Sequence, residues 1–122
     1  NEDVVVPVSQ IPALVAGVQA LSAHYHLPIV TFGHAGNGNL HVDSLYRPDD
    51  AGENARAHAA LPRVFALTLA LGGTLSGEHG IGTAKAKWME KETTRGTIEF
   101  CQRMRRSCDP NGLLNANKIT GI

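Results

Sequence analysis

Four things are scarce in this chain of 122 residues, and each scarcity excludes something. The first is charge of one sign: 11 Lys and Arg meet 11 Asp and Glu, so the formal net charge is zero with neutral His. That balance argues against a nucleic-acid partner and against a field aimed at an anionic membrane surface. The second is long apolar runs, which extend only a few residues here, far short of a membrane span. The third is cysteine, present only as Cys101 and Cys108. On one helix such a pair sits about 10 Å apart along the axis, too far for an undistorted disulfide. The spacing predicts core-facing, unreactive thiols, and reduced thiols fit the cytoplasm better than secretion. The fourth is a basic leader: Asn1-Glu2-Asp3 is acidic where a signal peptide is basic. Opening on Asn rather than Met points to a fragment or a processed form.

The length and a hydrophobic content of 43% suit one globular domain with a real core. Val4-Val5-Val6 reads as a strand closed by Pro7. Ser9 is the expected N-cap of a helix running to His24 or His26, with Ile11, Leu14, Val15, Val18 and Leu21 at helical spacing. Pro28 to Gly33 is rich in β-branched residues, as a strand should be. Leu40 to Tyr46 alternates, with Leu40, Val42 and Ser44 on one face and His41, Asp43 and Leu45 on the other. The Gly36-Asn37-Gly38-Asn39 turn between them predicts a hairpin.

A second helix should end at Gly72-Gly73, with Leu61, Val64, Phe65, Thr68 and Leu71 inward. Pro62 predicts either a kink or a late start near Leu61. Thr74-Leu75-Ser76 then reads as a last strand. The order β-α-β-β-α-β predicts an α+β fold, a ferredoxin-like plait with an antiparallel sheet. This core should span residues 1–78, followed over 79–122 by helices at Thr83 to Glu92 and Thr94 to Cys108. Lys85, Lys87 and Lys91 are expected on a solvated face, and Trp88 and Met89 in packing.

Two glycine-rich stretches carry the chemistry: Gly33-His34-Ala35-Gly36-Asn37-Gly38-Asn39-Leu40-His41 and Gly77-Glu78-His79-Gly80-Ile81-Gly82. Imidazole and carboxylate are the ligand set for zinc, manganese or ferrous iron. A hairpin folds His34 and His41 toward each other, because side chains on one face of paired strands approach to roughly 5 Å. Glu78 and His79 follow the last strand, expected beside the hairpin. Adjacent residues of an extended segment point to opposite sides, so one should ligate and the other act. His34, His41 and Glu78 as three ligands would leave a position open to substrate, the pattern of a catalytic rather than a structural site. His79 is then the candidate general base. Asp43, on the His41 face, would orient an imidazole or touch substrate. A plainer reading also stands: His34 and His41 as hydrogen-bonded turn residues, and Glu78 as a cap meeting free N–H groups.

The two stretches, with Lys85 and with Asp109-Pro110-Asn111-Gly112-Leu113-Leu114-Asn115 and Lys118, resemble the C-terminal part of the FAD-linked 2-hydroxy acid dehydrogenases. That family includes D-lactate dehydrogenase, the glycolate oxidase flavoprotein subunit and D-2-hydroxyglutarate dehydrogenase, within the vanillyl-alcohol-oxidase superfamily. The resemblance covers nearly the whole chain, as one cap or substrate domain over 1–122. It implies a divalent metal, zinc or manganese, on His34, His41 and Glu78, with His79 as catalytic base and substrate contact beside Asp43. It implies FAD, bound mainly by an N-terminal domain absent from this chain, with Asn39, Asn115 and Lys118 turned to the cofactor. The implied partners are a small 2-hydroxy acid, that flavin domain and an electron acceptor. The implied location is cytoplasmic, free or peripheral at the inner face of the membrane.

Three departures from the family pattern stand out. Asn37 replaces a common Asp, Asp43 replaces a frequent Asn, and Asn115-Ala116-Asn117-Lys118 replaces Asn-Pro-Gly-Lys. The chain alone is not expected to turn over, and apolar surface left uncovered would favour a homodimer. The rival expectations are a metal-binding or regulatory plait without catalysis, and a structural cap whose histidines only hold turns. One fold hosts many functions, so the plait does not choose among them.

Overall fold

The computed structural model of the chain describes residues 1–115 and 118. Residues 1–79 form one compact unit and residues 80–122 another.

The first unit is the α+β plait. Its elements are β1 (Glu2–Val5), α1 (Ile11–Tyr25), β2 (Ile29–His34), β3 (Asn39–Ser44) and α2 (Ala51–Ala70). The three strands are antiparallel in the order β1-β3-β2. The four-residue hairpin loop closes through Asn37 N–H donating to the His34 carbonyl at 3.1 Å. Gly38 turns there with φ +83°, and a Cβ on it would strike the Val6 carbonyl. Only glycine meets both demands.

Side chains alternate across the sheet, as the period of two requires. Val4, Leu40 and Val42 face the helices and are buried with Leu14 and Val18 of α1 and Ala60, Val64 and Phe65 of α2. Burying these apolar groups is what drives the helices onto the sheet. The opposite face carries Asp3, Asn39, His41 and Asp43, with Phe32 and His34 from β2.

Several local expectations change. The last strand reduces to one antiparallel bridge, Val5 to Thr74, with N···O distances of 3.0 and 2.9 Å. It adjoins β1 rather than the hairpin, because Val5 lies on the edge strand of β1-β3-β2. Ser9 sits in a 3-10 turn, Val8–Gln10, and the α1 N-cap is Gln10 without a side-chain bond. Helix α2 does not start late near Leu61: it runs from Ala51 to Ala70 with Pro62 inside it. Asp50 caps it, accepting from Glu53 N–H at 2.9 Å. Its buried Ala57, Ala60, Val64, Phe65 and Thr68 outweigh the proline penalty of about 3 kcal/mol.

In the second unit the expected helix from Thr83 shrinks to a 3-10 turn, Ala86–Trp88, leading into α3 (Met89–Glu92). Helix α4 (Arg95–Cys108) starts on Thr94, whose hydroxyl accepts from Thr97 N–H at 3.2 Å. Lys85 is buried rather than solvated. Lys87 and Lys91 lie over the Trp88 ring, at 5.7 and 4.8 Å from its centroid, so both stems are held by the aromatic face. Cys101 and Cys108 are exposed rather than core-facing, because α4 buries none of its residues. Among the described residues no helix is long and apolar enough to cross a membrane.

Candidate metal and proton-transfer site

The site begins with the hairpin register. Phe32 pairs with His41 and His34 pairs with Asn39, so His34 lies diagonal to His41 on one face. Their rings come to 5.8 Å, edge to face. The Phe32 ring lies 5.1 Å from His41 and is itself 53% exposed.

Glu78 and His79 reach this face by a route absent from the sequence expectations. Residues 77–79 bend instead of extending as a strand. They wrap the carboxylate of Asp3, which is fully buried on β1 directly opposite His41. Asp3 Oδ2 accepts from Ser76 Oγ at 2.8 Å and from the N–H groups of Gly77, Glu78 and His79 at 2.9, 3.1 and 2.9 Å. Burial alone would raise the Asp3 pKa. The bonds from His79, Ser76, Glu78 and Gly77 overcome it and bring the pKa down from 3.8 to about 2. Gly77 lies against Asn39 and Val5, and a Cβ there would meet Asn39 Cγ at 2.6 Å and Val5 Cγ2 at 2.7 Å.

The result is a convergence of donors. Glu78 Oε1 lies 3.1 Å from His41 Nε2 and 3.6 Å from His34 Nε2. The three ligand atoms all fall within 4.8 Å of one another. Ligand atoms around a tetrahedral ion with bonds of ~2.0–2.1 Å stand roughly 3.3 Å apart, and the separations of 3.1 and 3.6 Å bracket that value. The histidine and carboxylate donor set fits a divalent ion, and the exposure of His34 and Glu78 leaves the locus open on one side.

The bend also cancels the expected opposition of Glu78 and His79. His79 Nε2 lies 4.0 Å from Glu78 Oε1, and its ring stacks on His41 at 5.2 Å. Both side chains therefore serve one locus. Asp43 shares the face, yet among the described residues no hydrogen bond joins it to His41. Asp43 Oδ1 and His41 Nδ1 are each buried without a hydrogen-bond partner.

The resemblance also implies three positions turned to the cofactor. Asn39 is buried beneath Gly77, with its Oδ1 unpartnered. Asn115 and Lys118 belong to the second unit, where Arg105 binds the carbonyls of Leu114, Asn115 and Lys118 at 2.6, 2.7 and 3.2 Å. Ala116 and Asn117 lie outside the described residues. Sequence reasoning missed Asp3 and Phe32. The signal for Asp3 was weak: an acid immediately before Val4-Val5-Val6, drawn into the strand β1 (Glu2–Val5), where aspartate is unfavourable unless it binds something.

The chain belongs to the family described as FAD linked oxidases, C-terminal domain, which it matches over residues 1–119. It is 36% identical over 118 residues to the glycolate oxidase subunit GlcD of Bacillus subtilis, covering 97% of this chain and 25% of that protein. It is 33% identical to the D-lactate dehydrogenase of Anaerostipes hadrus, covering 96% of this chain and 25% of the relative. Against the D-2-hydroxyglutarate dehydrogenase of Stutzerimonas stutzeri the identity is 34%, with 98% and 26% covered. The chain thus spans about a quarter of the length of the curated relatives it matches.

Proposed function

We propose that this chain is the substrate- and metal-binding part of an FAD-dependent oxidoreductase that oxidises a small 2-hydroxy acid to the 2-oxo acid. The observation that carries the reading is the approach of Glu78 to both His34 and His41, with His79 beside them. Glycolate, lactate and 2-hydroxyglutarate, named in the three relatives, share a hydroxyl and a carboxylate on adjacent carbons. That pair of oxygens is a natural chelate for a divalent ion such as zinc or manganese.

When bound, the metal supplies Lewis-acid polarisation of the substrate hydroxyl, and FAD supplies the acceptor for the C2 hydride. His34, His41 and Glu78 would hold the ion. His79 takes the hydroxyl proton at its imidazole nitrogen as the C2–H bond breaks. Asp43 lies on the same sheet face as His41, where a carboxylate would disfavour a second carboxylate on the substrate. The flavin would be held mainly by a domain outside these residues, and Asn115 and Lys118 would be the positions of this chain turned to it; Asn39, buried beneath Gly77, would support the turn instead. A separate electron acceptor would reoxidise the flavin. Two exposed free thiols suit a reducing, cytoplasmic setting.

The test is elemental analysis after zinc or manganese is supplied, on the chain and on a His34→Ala/His41→Ala double variant. About one ion per chain, lost in the double variant, is the expected result. Equal metal in both, or none in either, refutes this ligand set.

A further inference from the structure

We propose that Asp3 is the positioning residue that assembles this site: its carboxylate captures the backbone of residues 76–79 and lays Glu78 and His79 beside His41. The inference rests on the metal reading above and adds to it a residue that the reading does not use.

The geometry has three parts. Asp3 pairs with His41 across the β1–β3 ladder, so the two side chains share a face as direct neighbours. Its Oδ2 gathers the Ser76 hydroxyl and three successive backbone N–H groups at 2.8–3.1 Å, and Glu78 N–H also lies 3.2 Å from Oδ1. Successive amides closing on one anion form a nest, here occupied by the protein's own carboxylate. The donors stand 73 to 76 residues from Asp3 in sequence. One side chain therefore joins the start of the plait to the end of its core.

The bonds terminate on the residues that carry the chemistry. No ladder positions Glu78 and His79, since the sheet contact of this segment is the bridge at Thr74. The Asp3 bonds to Glu78 N–H and His79 N–H fix both backbones instead. From there Glu78 Oε1 reaches His41 at 3.1 Å and His34 at 3.6 Å. A displacement of about 1 Å would take these donors out of range of a common ion. Charge matters as well as shape. All four donors close on Oδ2, where an amide oxygen carries no negative charge to hold them, and the amide NH2 would stand where Oδ1 now meets Glu78 N–H at 3.2 Å.

The test compares wild type with Asp3→Asn and Ser76→Ala on the full chain. Ser76→Ala removes one donor and leaves the three amides. Zinc affinity is measured by chelator competition. The visible absorption of bound cobalt reports coordination, which a purely structural role would leave alone, and circular dichroism reports folding. Asp3→Asn should fold, bind zinc about tenfold more weakly or worse, and alter the cobalt bands. Ser76→Ala should weaken zinc by a smaller factor, about two- to fivefold. A folded Asp3→Asn with wild-type zinc affinity and cobalt spectrum overturns the proposal, whatever its thermal midpoint. If Asp3→Asn does not fold, Ser76→Ala decides, and unchanged affinity there overturns it. Wild type that binds neither ion removes the metal reading and this proposal together; equal binding by wild type and folded Asp3→Asn removes this proposal alone.

Discussion

Acid should destabilise this protein through one side chain above all. Asp3 is wholly buried, and its pKa falls from 3.8 to about 2 in the folded state. At about 1.4 kcal/mol per tenfold change in proton affinity, that difference stabilises the fold by about 2–3 kcal/mol near neutrality. The sign follows from the direction. A depressed carboxyl pKa means that the folded state favours the anion, so the stabilisation is complete above pH 3.8 and is lost as pH falls toward 2. The perturbation is Asp3→Asn, which cannot titrate. The assay is urea unfolding of both proteins at several pH values between about 6 and about 2, taken as a stability difference. Other carboxylates with lowered pKa, such as Asp50 and Asp109, titrate in both proteins and cancel in that difference. Wild type should lead by about 2 kcal/mol or more near neutrality, and most of the lead should vanish by about pH 2. A difference that stays constant over this range would refute the reasoning.

Three further outcomes test other links. Gly77→Ala should lower stability by about 1–3 kcal/mol in thermal unfolding, because its Cβ must displace Asn39 and Val5. Phe65→Ala empties the centre of the plait, where Phe65 is 1% exposed, and should lower the urea-derived stability by about 3–5 kcal/mol. His79→Gln, in the protein joined to its flavin domain, should retain metal yet lower 2-hydroxy acid oxidation by about 100- to 10,000-fold in steady-state assays. Unchanged turnover there would remove His79 from proton transfer.

What the sequence determined by itself was local. The alternation of Leu40 to Ser44 and the Gly36 to Asn39 turn are short-range signals, and they sufficed to bring His34 and His41 to one face. The helical spacing from Ile11 to Leu21 likewise placed α1, because a period of 3.6 is written in consecutive residues. Tertiary structure decided the rest. Pro62 lies within an unbroken helix because α2 is secured by its buried face, which propensity does not count. Cys101 and Cys108 share a helical spacing with core residues, yet spacing names a face and not what covers it. The junction of Glu78 and His79 with the two hairpin histidines depends on Asp3 accepting bonds from a backbone more than 70 residues away. Backbone N–H groups are the same in every non-proline residue. No periodicity therefore encodes which acid will bind them, and only the folded chain, with Asp3 in register with His41, makes that choice.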